Sequence, residues 1–107
     1  MLVAFVDRLA RRAGLDNQEL GQAVYAVHPG GPAILDRSRE VLRLAETQLA
    51  CSRRILLQRG NMSSATLPHV WMELIRDTGI AAGRVIVSLA FGPGLTVCGA
   101  IMRKVTE

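Results

Sequence analysis

The stretch of sequence that decides the fold reads Ala23-Val24-Tyr25-Ala26-Val27-His28-Pro29-Gly30-Gly31-Pro32-Ala33-Ile34-Leu35. Its first five residues are a short apolar run, and the proline-glycine cluster after His28 cannot continue a strand, so the sequence predicts a buried strand over 23–27. Pro32 suits the first turn of a helix, which we expect to continue to about Leu44. That helix supplies a buried stripe of apolar residues: Ile34, Leu35, Val41, Leu42 and Leu44.

The segments before this stretch are simpler. Apolar residues recur at helical spacing over 2–13, with arginines on the opposite face, and Gly14 follows as a stop, so we expect an amphipathic helix. Residues 16–21 are polar and neutral toward helix formation.

The segments after it contain one ambiguous region. Residues 46–58 fit a helix, although 54–57 could also be a short strand, and we favour the helix. Gly60 and Asn61 form a turn dipeptide, after which Ser63 or Ser64 suits the cap of a further helix. The apolar positions of that helix are expected in the core: Leu67, Val70, Trp71, Leu74 and Ile75.

Residues 85–102 form an uncharged run of 18 residues, which is long enough to suggest a membrane span. Gly92, Pro93 and Gly94 interrupt the run in the middle, and β-branched residues flank them. This pattern favours two buried strands joined by a tight turn over a spanning helix. The whole order of helices and strands describes one α/β unit, and we expect a single domain over residues 1–107.

Composition limits the functional classes. Half of the 107 residues are hydrophobic and 21% are charged, as in ordinary globular domains. Lys104 is the one lysine among 13 basic residues, and the arginines are spread along the chain instead of forming a stripe with aromatic partners. We therefore expect no nucleic-acid binding and no membrane binding, with a mild attraction to anionic ligands. The amino-terminal stretch lacks the features of a signal peptide, so we expect a cytoplasmic protein.

The cysteines and the two candidate polar residues carry little information by themselves. Cys51 and Cys98 are far apart and lie near no histidine at metal-ligand spacing, so we expect free thiols and no metal or other cofactor. A lone histidine such as His28 is more often a structural hydrogen-bonding residue than a catalyst. Asn61 is equally well explained as a turn residue. We expect His69 to be a spacer on its helix.

Three segments together point further: Val27-His28-Pro29-Gly30-Gly31-Pro32-Ala33-Ile34-Leu35-Asp36, Gly60-Asn61-Met62-Ser63-Ser64-Ala65-Thr66 and Phe91-Gly92-Pro93-Gly94-Leu95-Thr96-Val97. In this order and spacing they resemble the chalcone and stilbene synthases and their bacterial relatives, the type III polyketide synthases. Ketoacyl synthase III enzymes share the histidine and asparagine but surround the histidine with Gln-Ala-Asn. The resemblance covers essentially the whole chain and implies the C-terminal half of a thiolase-like fold, layered α/β/α with a mixed sheet that lacks its first strand.

The resemblance implies an acyltransferase that performs a decarboxylative Claisen condensation of malonyl coenzyme A onto a cysteine-bound acyl group. His28 and Asn61 correspond to the residues that hold the malonyl thioester carbonyl as it becomes negative. The remaining family positions imply binding of substrate or coenzyme A, with no cofactor beyond the thioester substrates. These positions are Gly30, Gly31 and Ala33 on the lip of the pantetheine path, Ser63 in the pocket wall, and Gly92, Pro93 and Gly94 in the cavity loop.

The chain also departs from the family pattern. The family's nucleophilic cysteine belongs to an N-terminal lobe, and neither Cys51 nor Cys98 matches it. Cys98 stands where the family usually has glutamate, and Ala90 where glycine is common. We therefore expect the chain alone to be inactive and to form a homodimer or to associate with a cysteine-bearing N-terminal lobe. The alternative is a non-catalytic module that binds coenzyme A thioesters or a partner enzyme. A small basic nucleic-acid binder is a third, weaker hypothesis.

Overall fold

The computed structural model describes residues 2–28, 31–60, 66–91 and 96–105. Over these residues the chain forms five helices, one 3₁₀ turn and three strands. In chain order they are α1 Leu2–Arg12, α2 Asn17–Gly21, β1 Val24–Val27, α3 Pro32–Leu42, the 3₁₀ turn Glu46–Leu49, α4 Ala50–Arg59, α5 Thr66–Arg76, β2 Val85–Phe91 and β3 Val97–Arg103. Every predicted helix and strand occurs, in the predicted order, and the helix that we favoured over 46–58 consists of the 3₁₀ turn followed by α4.

Helix α2 is the element that the sequence pattern did not predict. Asp16 caps it, because its carboxylate accepts a hydrogen bond from the Glu19 main-chain N–H at 2.7 Å. The Glu19 side chain accepts in return from the Asp16 main-chain N–H at 3.4 Å. This reciprocal capping compensates for the short length and polar composition of the helix.

The sheet is mixed, with the strand order β1-β2-β3. Strand β1 pairs parallel with β2, and β2 pairs antiparallel with β3. The register places Ala26 opposite Ser88, and Ser88 opposite Ala100, so these three residues form one row across the sheet. The 85–102 run is therefore a pair of antiparallel strands, as predicted. None of the helices in the described part of the chain is long and apolar enough to cross a membrane.

Two apolar clusters lie on the two faces of the sheet. The cluster on the face of α1 and α3 contains Tyr25, Val27, Val87, Leu89 and buried residues of those helices. The cluster on the opposite face contains Val24, Ala26 and Ile86 together with residues of α4 and α5. Burial on both faces explains why β1 and most of β2 are continuously apolar rather than alternating.

The prediction that the last strand is buried is wrong. Cys98, Gly99 and Ala100 in β3 are exposed, although α1 crosses one face of the strand. The reason is that α5 packs over β1 and β2 and, among the described residues, reaches β3 only at Met102, so Cys98 and Ala100 on the same face of β3 stay exposed. An apolar sequence shows that a strand tolerates burial, but it does not show which layers reach it.

Two helical positions predicted for the core are also exposed. Ile34 is 37% exposed and Ile75 is 53% exposed, whereas their neighbours Leu35 and Leu74 are buried. One residue along a helix corresponds to a rotation of about 100°, so adjacent apolar residues cannot both face the core. The predicted serine cap at 63 or 64 and the turn at 92–94 lie outside the described residues.

Candidate functional site

His28 directly follows the last residue of β1. Its main-chain N–H donates to the Leu89 carbonyl oxygen at 2.9 Å, which extends the pairing of β1 with β2 by one residue. His28 is half-buried. The histidine backbone is therefore fixed at the carboxyl edge of the two parallel strands, where α/β sheets place their ligands.

Other chain segments reach the same edge. Strand β2 ends there at Phe91, and α3 begins at Pro32 after the short connection from His28. Helix α5 also begins toward this edge, because Leu67 and Trp71 from its first two turns share a small cavity with Ala90 near the end of β2. Thr66, the first residue of α5, is fully buried. Four segments thus converge at one end of the sheet.

Three of the predicted site residues are described: His28, Gly31 and Ala33. The other predicted site residues lie outside the described residues, and these are Gly30, Asn61, Ser63, Gly92, Pro93 and Gly94. His69, expected to be a spacer, lies half-buried on α5.

Gly31 precedes α3 with φ 171° and ψ 165°, an extended conformation that any residue adopts. A Cβ atom at this position would meet no other atom within 4 Å. Neither backbone conformation nor contact with the described protein therefore requires glycine at this position. Ala33 is exposed and lines an apolar cavity of about 510 Å³ together with Leu2 and Phe91. The open space at Gly31 and the cavity at Ala33 both adjoin the start of α3.

Cys51 lies toward the opposite end of the strands. It is buried at the start of α4, and its cavity is shared with Val24 and Arg84, which lie at the amino ends of β1 and β2. Burial raises the pKa of the Cys51 thiol to about 11, and its contact with the Asp77 carboxylate at 3.7 Å acts in the same direction. Such a thiol is almost entirely protonated at neutral pH, so Cys51 is a poor nucleophile.

Cys98 is exposed on β3 and pairs in register with Ala90. The described residues contain no group of three or more metal-ligating side chains that could hold a metal ion.

An ion-pair network that the sequence did not reveal joins α4 to α5 near Cys51. The Arg54 guanidinium lies 2.5 Å from the Glu73 carboxylate and 3.7 Å from that of Asp77. Asp77 also accepts from the Gly79 main-chain N–H at 2.9 Å, which lowers the pKa of its carboxyl, and Arg54 lowers it further. The network holds the two helices together at the end of the sheet opposite to His28.

Two buried polar side chains were also missed. The Ser52 hydroxyl accepts from the Val27 main-chain N–H at 3.1 Å and donates to the Tyr25 carbonyl oxygen at 3.2 Å. The Trp71 indole N–H donates to the Ser88 hydroxyl at 2.9 Å. The sequence feature that could have revealed Ser52 is a serine among helix-forming residues, because a buried serine usually forms a hydrogen bond to nearby backbone. By fixing Val27, Ser52 also helps to position His28, the next residue.

A mixed three-stranded sheet between helical layers, with a histidine at its carboxyl edge, agrees with the half of a thiolase-like fold that the resemblance implies. The chain belongs to the chalcone and stilbene synthase family: residues 2–106 match the model described as "Chalcone and stilbene synthases, C-terminal domain". The predicted resemblance is confirmed.

Known proteins agree with this assignment. Type III polyketide synthase A of Arabidopsis thaliana is 43% identical over 107 residues, which cover 96% of this chain and 27% of that protein. Type III polyketide synthase pspB of Penicillium soppii is 42% identical over 80 residues, or 75% of this chain and 19% of that protein. This chain thus spans only about a quarter of the length of the Arabidopsis protein and about a fifth of the length of the Penicillium protein.

Solved structures agree as well. The C-terminal type III polyketide synthase domain of Steely1, a type I/III polyketide synthase hybrid from Dictyostelium, has a TM-score of 0.85 and 29% sequence identity. The match covers 96% of this chain and 29% of that one. The predicted α/β fold class is confirmed.

Proposed function

We propose that the chain acts as the C-terminal lobe of a type III polyketide synthase, an acyltransferase for decarboxylative Claisen condensation of malonyl coenzyme A. The observation that supports this most strongly is the position of His28, whose backbone is bonded to Leu89 at the carboxyl edge of the parallel strands. Family membership indicates the class of reaction, and His28 is a residue suited to that reaction at this position.

In the proposed mechanism, His28 and Asn61 donate hydrogen bonds to the thioester carbonyl of the malonyl group. Loss of carbon dioxide breaks the bond between the carboxylate carbon and the α-carbon and leaves its electron pair as an enolate, so the carbonyl oxygen becomes negative. The bonds strengthen as this charge develops, and the barrier falls. The enolate carbon then attacks the acyl thioester and expels the cysteine thiolate.

Gly31 and Ala33 are proposed to contact the pantetheine arm. The open space beside Gly31 supports this role, since the described protein gives no other reason for a glycine there. The apolar cavity at Ala33 adjoins the same turn. Gly30, Ser63, Gly92, Pro93 and Gly94 remain proposed substrate-binding residues by family resemblance.

The nucleophilic cysteine is proposed to come from an N-terminal lobe, either in the same protein or in a partner. The high pKa of Cys51, and its cavity at the amino ends of β1 and β2, argue against Cys51 as the nucleophile. The uncovered face of β3 is a surface where a lobe or a second copy could pack. We also propose a cytoplasmic location for the chain.

The test combines the purified chain with the N-terminal lobe of a type III polyketide synthase whose matching region is 43% identical to this chain. Polyketide formation from malonyl coenzyme A is followed by mass spectrometry. We expect activity from the pair and none from the chain alone. His28→Gln should lower turnover by about 100- to 1,000-fold, because it removes one donor to the developing negative charge. His69→Gln is the matched control and should leave turnover unchanged. A soluble, associated pair without turnover would refute the catalytic proposal.

The alternative function, a non-catalytic module that binds coenzyme A thioesters, is favoured only by the open space at Gly31 and the cavity at Ala33. Calorimetry with malonyl coenzyme A distinguishes the two functions. A binding module should keep its affinity in His28→Gln, whereas the catalytic lobe should lose part of it.

A further inference from the structure

A second sizeable cavity lies away from the edge of the sheet that carries His28. Its volume is about 550 Å³, and it opens between α1, α2 and the segment that follows α3. Gly21 and Tyr25 line it, so it adjoins the amino end of β1, whereas His28 follows the carboxyl end. This volume falls within the range of small-molecule sites.

Two oppositely charged side chains line this cavity. Asp7, on α1, is half-buried, and among the described residues its carboxylate forms no hydrogen bond and no ion pair. Arg43 lies beyond the end of α3, and its guanidinium likewise has no bonded partner in the described part of the chain. The half-buried Asp7 carboxylate loses part of its hydration and gains no bonded partner from the described residues in return, since Arg43 lines the same cavity without bonding to it. Such a group favours a ligand that brings a cation.

The backbone of Arg43 is strained. Its φ of 55° and ψ of 48° lie in the left-handed region, and Arg43 is the non-glycine residue with positive φ in the described chain. Glycine is the usual residue at such a helix end. Keeping an arginine there costs stability, and strained positions of this kind cluster at ligand-binding sites.

The remaining wall is mostly apolar. Val6 and Leu44 are buried at the cavity, and Tyr25 contributes its ring. Burial raises the pKa of the Tyr25 phenol to about 12, with the negative charge of Asp7 acting in the same direction, so the phenol and the carboxylate lie close enough to interact. A tyrosine phenol is protonated at neutral pH and can donate a hydrogen bond.

We propose that this cavity binds a small zwitterion with an apolar body, of which an apolar α-amino acid is the simplest example. The ammonium group would pair with Asp7, the carboxylate with Arg43, and the side chain would pack on Val6 and Leu44. The site is independent of the proposed acyl-transfer chemistry, and its test does not require an N-terminal lobe.

The experiment is calorimetry on the 107-residue chain with three probes: L-phenylalanine, phenethylamine, which lacks the carboxylate, and 3-phenylpropionate, which lacks the amine. We expect L-phenylalanine to bind more tightly than either of the others. Asp7→Asn should weaken L-phenylalanine and phenethylamine by about tenfold or more and leave 3-phenylpropionate unchanged. Arg43→Gln should weaken L-phenylalanine and 3-phenylpropionate instead. Glu40→Gln and Arg37→Gln, which alter an exposed ion pair elsewhere on α3, are the controls for net charge.

A second variant distinguishes a ligand-binding role of Arg43 from a purely structural one. Arg43→Gly should raise the denaturation midpoint, because glycine adopts the left-handed conformation without strain, and should lower the affinity for L-phenylalanine. A residue with only a structural role would not produce these opposite effects. Absence of binding by all three probes, or binding that Asp7→Asn and Arg43→Gln leave unchanged, would overturn the proposal.

Discussion

The two outer edges of the sheet differ in how the outward main-chain groups of their strands are hydrogen-bonded. At the β1 edge, Ser52 bonds to the main chain of Tyr25 and Val27, and the Gln48 amide donates to the Ala23 carbonyl oxygen at 2.7 Å. All four residues of β1 are buried. At the β3 edge, no described residue bonds to the outward main-chain groups of residues 97–102.

This difference shows which edge of the sheet is closed by side chains and which edge is open. Side chains of the 3₁₀ turn and α4 replace the missing neighbour of β1, so that edge cannot accept another strand. An uncovered apolar edge such as β3 is a surface that proteins normally protect. The β3 side of the sheet therefore keeps main-chain groups that can pair with another strand, whereas the β1 side does not.

The largest effect is expected when the same substitution is made on the closed strand β1 and on the open strand β3. Ala26 and Ala100 flank Ser88 in register, but Ala26 is fully buried and Ala100 is exposed. Ala26→Lys should cost about 4 kcal/mol or more, because it overpacks the core and buries an unpaired ammonium group. Ala100→Lys should change the free energy of unfolding by about 0.5 kcal/mol at most.

Urea denaturation followed by circular dichroism measures both values. Ala100→Lys should also reduce any association of the chain seen by light scattering, since a lysine on an open edge opposes strand addition. Equal destabilisation by the two substitutions would show that β3 is covered in solution, and the comparison would fail.

The second prediction concerns the side chain that closes the β1 edge. Ser52→Ala should lower the free energy of unfolding by about 3 kcal/mol, because it leaves the buried Val27 N–H and Tyr25 C=O without this partner. Cys98→Ala, a comparable change on the exposed strand, is the control and should stay within about 0.5 kcal/mol. If both variants unfold at the same urea concentration, the serine does not close the edge.

The third prediction uses Tyr25, whose ring lies in the core beside the closed edge. Its folded pKa is about 12, so between pH 10 and 12 the unfolded chain ionises this phenol while the folded chain does not. The free energy of unfolding should therefore fall by about 2 kcal/mol as the pH rises through this range. The measurement is urea denaturation at pH 9, 10, 11 and 12.

Tyr25→Phe should remove most of this decline, because phenylalanine cannot ionise. Cys51, with a pKa of about 11, contributes a similar loss that begins at lower pH, so the comparison is best made in a Cys51→Ser background. An equally steep decline with and without the phenol would show that Tyr25 is not buried as described.

The difference between the two edges also marks the limit of what the sequence could predict. The period of apolar residues and the proline and glycine breaks predicted all three strands and four of the helices, because these signals are local. The exposure of β3 could not be predicted in this way, since it depends on where α5 lies. The high pKa of Cys51 depends partly on Asp77, 26 residues further along the chain, and the role of Ser52 on a strand 25 residues before it. Such contacts follow from topology rather than from local pattern.

The last prediction compares Gln48, which closes the same edge from a half-exposed position, with Arg103 on β3. Gln48→Met keeps the length of the side chain but removes the hydrogen bonds to the Ala23 carbonyl and the Ala45 N–H. Water can reach these groups in part, so the loss should be about 1 kcal/mol rather than the larger value at Ser52. Arg103→Met on β3 removes an exposed ion pair with Glu19 and should cost less than about 0.5 kcal/mol. The order Ser52, Gln48, Arg103 in urea midpoints would show that burial of the edge, rather than the number of hydrogen bonds, decides its stability, and a reversed order would contradict this.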